Sequence, residues 1–220
     1  MFDIYYLHTG QVHVNTFEAL SHKLASDDNL TLNVGHRVEA DYLKHAQLYG
    51  CDRGLKQTML AALEQMQQQA KLVVCTCSSI GEIAEQAASD YGYAISRIDR
   101  AMADQAVKHS RLLVLATLAS TLEPTCQLLT QSAQNQGETI TMDTAVIDGA
   151  FDMYMSGQQG ESLALIRSLI LNVQSDYDAI VLAQASMAGA VEATQCEIPI
   201  YSSPYLGVQA AIAAIKAIDK

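Results

Sequence analysis

Lys71-Leu-Val-Val-Cys-Thr-Cys-Ser-Ser-Ile-Gly-Glu82 is the stretch that decides the fold. Its continuous apolar run is typical of a strand buried on both faces of a parallel sheet. A helical pattern begins at Ile80, and Ser79 with Glu82 predicts an S-x-x-E capping box. We therefore expect Cys77 between a strand and a helix, near backbone N–H groups and the positive end of the helix dipole. A thiol in that position can have a lowered pKa and act as a base or nucleophile.

Strand and helix patterns alternate along the chain. Strands are predicted at 4–8, 30–38, 72–77, 94–98, 112–117, 139–147, 179–183 and 198–202. Helices are predicted at 16–24, 55–70, 80–91, 101–109, 122–136 and 160–174, after the strand at 179–183, and at 208–218. A second S-x-x-E box, Ser120 with Glu123, is predicted to open the helix at 122–136. This order predicts an α/β fold of parallel sheets flanked by helices.

The two halves of the chain resemble each other weakly. Val73-Val-Cys-Thr-Cys-Ser-Ser-Ile-Gly81 lies over Ile180-Val-Leu-Ala-Gln-Ala-Ser-Met-Ala188, which pairs Cys77 with Gln184 and Ser79 with Ser186. Ile4-Tyr-Tyr-Leu-His-Thr9 lies over Leu112-Leu-Val-Leu-Ala-Thr117, which pairs Thr9 with Thr117. The repeat predicts two Rossmann-like lobes, residues 1–96 with 206–220 and residues 97–205. Since sites in parallel sheets form beyond the carboxyl ends of the strands, these side chains are expected around one cleft between the lobes.

Composition excludes several classes of function. Half of the 220 residues are hydrophobic, which is enough for a sizeable core, and the net charge of −11 argues against nucleic-acid or anionic-membrane partners. The apolar runs are too short to cross a bilayer, and the chain opens on a strand without a signal-like segment, so a cytoplasmic protein is expected. The five cysteines are predicted to be free thiols. No zinc pattern, P-loop or G-x-G-x-x-G motif is present, so neither a metal nor a cofactor is expected.

The motifs in this order resemble the aspartate/glutamate/hydantoin racemase superfamily. Cys77-Ser78-Ser79 is similar to the first cysteine motif of that family, and Val181-Leu-Ala-Gln-Ala-Ser-Met-Ala-Gly189 stands where the second is expected. Ala116-Thr117 with Ser120-Thr-Leu-Glu-Pro-Thr125 resembles the turn of the second half, and Ser202-Ser203-Pro204 its last strand end. The resemblance spans nearly the whole chain. It implies two pseudo-symmetric lobes and a cofactor-independent isomerase of small carboxylate or amino-acid-like substrates, and it allows a homodimer.

Position 184 departs from the family, because it holds Gln where a second catalytic Cys is expected. In two-thiol racemases one thiolate removes the Cα proton and the other thiol returns a proton to the opposite face. An amide does not exchange protons near pH 7, although it can hydrogen-bond a carboxylate or an enolate. The resemblance then implies Cys77 as the catalytic thiol and Gln184 as a group that orients the substrate or stabilises charge. The groups implied to hold the substrate carboxylate are Thr9, Ser78, Ser79, Thr117 and Ser186.

Other interpretations remain open. Cys77 is also explained as a small buried residue, and Ser79 or the strand-end threonines as caps of local backbone. A different class of function is a catalytically silent carboxylate-binding protein that kept the cleft and lost the second thiol. Two further alternatives are a decarboxylase-type lyase of the same superfamily and a racemase in which His8 is the acid opposite Cys77.

Overall fold

Two four-stranded parallel sheets with flanking helices make up the structure, a computed structural model that describes residues 1–192 and 194–218. The strands are β1 (Phe2–His8), β2 (Val34–Val38), β3 (Ala70–Cys75), β4 (Ile95–Arg97), β5 (Arg111–Ala116), β6 (Thr141–Val146), β7 (Ala179–Leu182) and β8 (Ile200–Ser202). The helices are α1 (Val12–Asp27), α2 (Ala40–Tyr49), α3 (Arg53–Gln67), α4 (Gly81–Tyr91), α5 (Arg100–Ala106), α6 (Leu122–Gln136), α7 (Ala150–Met155), α8 (Gln159–Val173), α9 (Gly189–Glu192) and α10 (Ser203–Ile218).

The chain divides into two compact units. The first unit comprises residues 1–99 with 204–218, and its sheet has the order β2-β1-β3-β4. The second comprises residues 100–203, and its sheet has the equivalent order β6-β5-β7-β8. Every neighbouring pair of strands is parallel. The predicted fold class, an α/β protein of two similar lobes, is therefore confirmed.

The central strands are buried because helices cover both faces of each sheet. In β3 every residue except Lys71 is buried, and in β7 all four are. The edge strand β6 instead has three exposed and three half-buried residues. Apolar side chains of helices α3 and α4 pack on β3 in the first unit, and those of α8 pack on β5 and β7 in the second. Hydrophobic burial on this scale is the main favourable contribution to folding.

Both predicted capping boxes are wrong. A 3-10 turn stands between β3 and α4 at Ser78–Ile80, so the residue that precedes α4 is Ile80 and no side chain caps it. The turn Ala119–Thr121 likewise precedes α6, where Thr121 takes the cap position without a side-chain bond. In each case the predicted capping serine already lies inside a helical turn, and its hydroxyl accepts no helix N–H.

Two helices were not predicted, and several element boundaries differ from the sequence prediction. Helix α2 was not predicted because only Tyr42 on it is buried, and such a helix has no apolar stripe. Helix α7, in a stretch for which the sequence predicts no element, has six residues, which is too short for a periodic pattern. Strand β2 begins at Val34 rather than at residue 30. Within the described residues, no helix combines the length and apolar character that a bilayer crossing requires.

The strand register confirms the predicted repeat. In the first unit Leu7 pairs with Cys75, so Thr9 and Cys77 both stand two residues beyond a paired position. In the second unit Leu115 pairs with Leu182, which places Thr117 and Gln184 in the same relation. Cys77 and Gln184 each have extended backbone and each immediately precede a 3-10 turn. The two residues are therefore structural equivalents.

Gly207 of α10 makes the closest packing contact of a glycine in the first unit, and it gives a stability prediction. A Cβ at this position would overlap the carbonyl oxygen of Ile98, and this backbone atom cannot move aside as a flexible side chain can. We expect Gly207→Ala to lower the free energy of unfolding by roughly 2–4 kcal/mol, although alanine favours helices by about 1 kcal/mol. Urea unfolding followed by circular dichroism measures the change.

Gly160 provides the matched control. It also lies in a helix, α8, but a Cβ there would meet nothing within 4 Å. Gly160→Ala should leave stability unchanged or raise it by up to about 1 kcal/mol. Equal effects of the two substitutions would contradict a steric role for Gly207.

Candidate active site

The Cys77 thiol lies in the first unit, at the end of the central strand β3. The groups near its sulfur are the Thr9 hydroxyl, the N–H groups of Ser79 and Ile80, and the Ser79 hydroxyl. Burial raises the pKa of the Cys77 thiol above its usual value, and these donors act in the opposite direction without reversing the shift. The expected lowering of the Cys77 pKa is therefore wrong, because desolvation outweighs the donors. The Cys77 residue as a whole is half-buried.

Ser78 and Ser79 have different roles in the turn. The Ser79 hydroxyl is buried and has no nitrogen or oxygen partner, so its nearest polar neighbour is the Cys77 sulfur. The Ser78 hydroxyl is already engaged, because it donates to the Asp99 carboxylate. The backbone of the turn has a further contact, since the Cys51 thiol donates to the Ser79 carbonyl oxygen at 3.3 Å. Ser79 thus faces the thiol directly, whereas the Ser78 side chain is directed into the interior of the unit.

A buried ion pair lies beneath this turn. The guanidinium of Arg97 donates to both carboxylate oxygens of Asp99, with Nε–Oδ1 at 2.6 Å and Nη2–Oδ2 at 3.0 Å. Both side chains are almost completely buried, and Glu85 approaches the guanidinium at 3.5 Å. Burial alone would raise the pKa of Asp99, but the Arg97 charge and hydrogen bonds hold it below the usual value. Both groups are therefore charged at neutral pH.

Gln184 occupies the equivalent of the Cys77 position in the second unit. Its Oε1 atom accepts three hydrogen bonds, from the N–H of Thr117 at 2.6 Å, from the Thr117 hydroxyl at 3.0 Å and from the N–H of Leu118 at 3.0 Å. Since backbone N–H groups only donate, the atom that faces them is the oxygen of the amide. The carbonyl of Gln184 is thus used to satisfy the turn after β5, and the N–H groups are the part of the amide left for a ligand.

The other predicted site residues of the second unit lie at the same edge of its sheet. Thr117 is buried and its hydroxyl proton is directed to Gln184. Ser186 is half-buried within the 3-10 turn Ala185–Met187. Thus the structure brings Thr9, Ser79 and Cys77 together in the first unit, and Thr117 and Gln184 together in the second.

His8 does not lie on the Cys77 side of its sheet. Its ring is fully buried against Phe17 of α1, whereas Cys77 packs with side chains of α3 and α4. Its Nδ1 contacts the Thr76 hydroxyl at 2.8 Å, and its Nε2 contacts Nδ1 of His36 at 2.9 Å. Burial, with the charges of His36 and His13, lowers the pKa of His8 to about 3. The alternative in which His8 is the acid opposite Cys77 is therefore wrong, since the ring is neutral and on the other face.

A surface groove of about 400 Å³ lies between α3 and α4. Its floor includes Leu60 and Ile83, and Arg53 and Lys56 line it on the α3 side. Cys51 stands at the groove and connects it to the Ser79 carbonyl. Within residues 1–192 and 194–218, no three His, Cys, Asp or Glu side chains are grouped so that they could hold a metal ion.

Comparison with known proteins gives a likeness in structure. No family model matches the chain, and no curated protein matches it in sequence. A Picrophilus torridus aspartate racemase superposes with a TM-score of 0.71 and 14% identity, over 97% of this chain and 94% of the other. A Francisella tularensis glutamate racemase in complex with D-glutamate gives a TM-score of 0.69 and 10% identity, over 99% of this chain and 82% of the other.

A third neighbour is a variant of arylmalonate decarboxylase, with a TM-score of 0.58 and 13% identity over 97% of this chain and 93% of the other. The chain has the fold of the aspartate/glutamate racemase superfamily. The predicted resemblance is confirmed at the level of the fold. The superpositions show a shared fold, and identities of 10 to 14% extend the likeness no further. The activities of these neighbours are properties of those proteins.

Sequence reasoning missed Arg97 within this racemase fold. The strand predicted at 94–98 contains Arg97, but the strand pattern gave this residue no role. The available signal is the spacing Arg97-Ile-Asp99, because residues two apart in extended backbone point to the same side of a sheet.

The buried His8 predicts a loss of stability in acid. In the unfolded chain this imidazole titrates near 6.5, whereas in the folded protein its pKa is about 3. Between these values the unfolded state binds more protons than the folded state. The stability that a neutral His8 allows is therefore fully present above pH 6.5, and the free energy of unfolding falls progressively as the pH decreases towards 3. From pH 7 to pH 5 we expect His8 to lower the free energy of unfolding by about 2 kcal/mol.

Urea titrations at both pH values test this expectation. His8→Asn should reduce the pH dependence by that amount, whatever its stability at pH 7. An unchanged urea m-value would show that both proteins undergo the same unfolding reaction. The same pH dependence in both proteins would contradict a neutral, buried His8.

The three bonds to Gln184 predict a second stability effect. Gln184→Leu leaves the N–H groups of Thr117 and Leu118 without their acceptor, so we expect a loss of roughly 2–4 kcal/mol in the free energy of unfolding. Gln127→Leu, at an exposed glutamine on α6 of the same unit, is the control and should change it by less than about 0.5 kcal/mol. Chemical denaturation measures both, and a Gln184→Leu protein as stable as the control would refute the role of Oε1.

Proposed function

We propose that the chain is a cofactor-independent enzyme that transfers a proton to or from the carbon next to a carboxylate, with Cys77 as the proton-transfer group. The observation that carries the proposal is the environment of the Cys77 sulfur. It stands at the carboxyl end of a central parallel strand, in a residue that as a whole is half-buried, and is surrounded by the Thr9 and Ser79 hydroxyls and two backbone N–H groups. Sites of α/β proteins form at such strand ends. The racemase fold supports the same assignment by analogy.

Gln184 restricts the chemistry to one thiol. Its amide neither gives nor takes a proton near neutral pH, and its oxygen is held by Thr117 and Leu118. Its role in this proposal is that of a hydrogen-bond donor through its N–H groups, not that of a second acid or base. Two-thiol racemisation is therefore not proposed. The reaction is one in which the same Cys77 sulfur removes or delivers the proton.

The substrate class proposed is a small carboxylate or an amino-acid-like acid. Exposed N–H and hydroxyl donors are the groups that bind such an anion. Thr9 and Ser79 are the proposed side-chain contacts beside Cys77, and Ser186 is the corresponding candidate in the second unit, since the Ser78 and Thr117 hydroxyls are engaged within the protein. Ser78 would then contribute through its backbone, and Thr117 through the position it gives Gln184. A glutamate racemase of the same fold binds D-glutamate.

A decarboxylase-type lyase is the second candidate, and the raised pKa of Cys77 favours it. A thiol with a raised pKa retains its proton at neutral pH, so it is better suited to donate a proton than to remove one. In that reaction the bond between the Cα atom and one carboxylate breaks with loss of CO2. The electron pair left on the carbon takes the Cys77 proton, and solvent returns a proton to the sulfur. An arylmalonate decarboxylase variant has a similar fold.

Incubation in D2O with each candidate acid tests these functions. We expect either deuterium at Cα of aspartate or glutamate, without inversion, or loss of CO2 from an arylmalonate. Cys77→Ser should lower the rate by roughly 10²–10⁴-fold, because a hydroxyl is a much weaker acid than a thiol. Mass spectrometry and chiral chromatography measure the products.

Cys126→Ser is the matched control, since Cys126 is a half-buried cysteine on α6 of the second unit. It should retain the wild-type rate. Retained turnover in Cys77→Ser would remove the thiol from the mechanism. Thermal stabilisation by an acid that undergoes neither exchange nor loss of CO2 would indicate a binding protein instead.

A further inference from the structure

The Arg97–Asp99 pair is a buried ion pair that contacts the turn that carries Cys77. Nη2 of Arg97 approaches the Ser78 carbonyl oxygen at 3.5 Å, and Asp99 accepts a hydrogen bond from the Ser78 hydroxyl. The pair thus holds one residue of the turn through both its backbone and its side chain. Ser78 is the residue between Cys77 and Ser79, so its position determines where the next N–H groups point.

The start of α4 is built around the same guanidinium. A Cβ at Gly81 would lie 2.8 Å from Nε of Arg97 and 2.9 Å from the guanidinium carbon. The φ of Gly81 is −61°, so glycine is needed there for space rather than for its backbone conformation. The Arg97 side chain therefore occupies the volume directly beneath the 3-10 turn and the first residue of the helix.

Stability alone is a weak explanation for this arrangement. Removing two charges from water is expensive, and buried ion pairs can often be replaced by apolar residues without loss of stability. The second unit shows that the turn can form without a buried arginine. Strand register makes Arg97, opposite Cys75, equivalent to Ser202, opposite Leu182. The unit that holds Gln184 forms the same turn without an arginine at that position, whereas the unit that holds the thiol has the ion pair.

We propose that Arg97 and Asp99 are positioning residues for Cys77. The pair holds Ser78 in place as a clamp, and the N–H groups of Ser79 and Ile80 and the Ser79 hydroxyl then face the Cys77 sulfur. The inference rests on the proposed function of Cys77 as the proton-transfer group. A fixed set of donors stabilises the thiolate that forms when the thiol gives up its proton, and no reorganisation of the turn is then required. A loosened turn would leave the sulfur in place but without aligned donors.

The pH dependence of Cys77 alkylation measures this effect directly. Iodoacetamide reacts with the thiolate, and peptide mass spectrometry separates modification at Cys77 from that at the other cysteines. Ser78→Ala removes the hydroxyl that Asp99 holds, and Asp99→Asn removes the negative charge while keeping the shape. We expect the alkylation midpoint to move to higher pH in Ser78→Ala, which changes no charge, with a rate at pH 8 roughly 3- to 10-fold lower than in the wild type. In Asp99→Asn the loss of a negative charge favours the thiolate and opposes the loss of the clamp, so the midpoint should rise less than in Ser78→Ala.

The double variant distinguishes a shared link from two separate defects. If both residues act through the Ser78 clamp, Ser78→Ala with Asp99→Asn should be no slower than the slower single variant. Glu39→Gln is the matched control, because Arg37 and Glu39 form another Arg-x-acid pair at the end of a strand of the same unit, but only a half-buried one. It should leave the alkylation profile of Cys77 unchanged.

Circular dichroism and the thermal transition show which variants are folded. Ser78→Ala removes one oxygen atom and decides the question if Asp99→Asn does not fold. An alkylation midpoint and rate equal to the wild type in folded Ser78→Ala would overturn the proposal. The assay needs no substrate, so it is separate from the proposed function. A shifted midpoint combined with turnover that survives Cys77→Ser would retain the clamp and reject the catalytic role.

Discussion

The structure depends on how each unit satisfies the N–H groups at the turn that ends its central strands. These donors cannot be paired within the strand or the helix, so they need another acceptor. In the second unit the acceptor is the carbonyl oxygen of Gln184, which takes two N–H groups and one hydroxyl within 3.0 Å. In the first unit the donors face the sulfur of Cys77. One fold thus places an inert acceptor at one position and a titratable one at its equivalent. Sulfur is also a weak acceptor, so its donors remain available to an anion.

The two faces of the first sheet keep their titratable groups apart. His8 and His36 lie on the face covered by α1, and burial keeps His8 neutral. Cys77, Arg97 and Asp99 belong to the other side of the unit, where a full ion pair is buried. Burial therefore affects the three groups differently. An imidazole or thiol becomes neutral when it is desolvated alone, whereas Arg97 and Asp99 stay charged because they are desolvated together. The local field at the turn consequently comes from the paired charges and from backbone dipoles.

The sequence predicted the fold well because the strands of this chain have the simplest pattern available. Buried parallel strands read as short apolar runs, and β3, β5 and β7 are such runs. The repeat was visible for the same reason, since equivalent strands bury equivalent positions. Helix α2 has one buried residue, so no periodic signal exists to detect. The capping boxes failed because an S-x-x-E pattern does not reveal whether a 3-10 turn precedes the helix.

The sequence predicted which of the candidate residues lie close together, but it did not predict their electrostatics. Strand ends identify which side chains share an edge, so Cys77 with Thr9, and Gln184 with Thr117, follow from spacing. A pKa depends on how much water is excluded and on which atoms replace it, and neither quantity is encoded in spacing. A thiol near N–H groups was expected to be acidic, yet the same strand end that supplies the N–H groups also removes the solvent. The stronger the burial, the more the thiol depends on donors held in one orientation. Arg97 reaches the candidate site only through Ser78. In the proposed arrangement it nevertheless affects the Cys77 thiol, because it holds the turn that orients the donors.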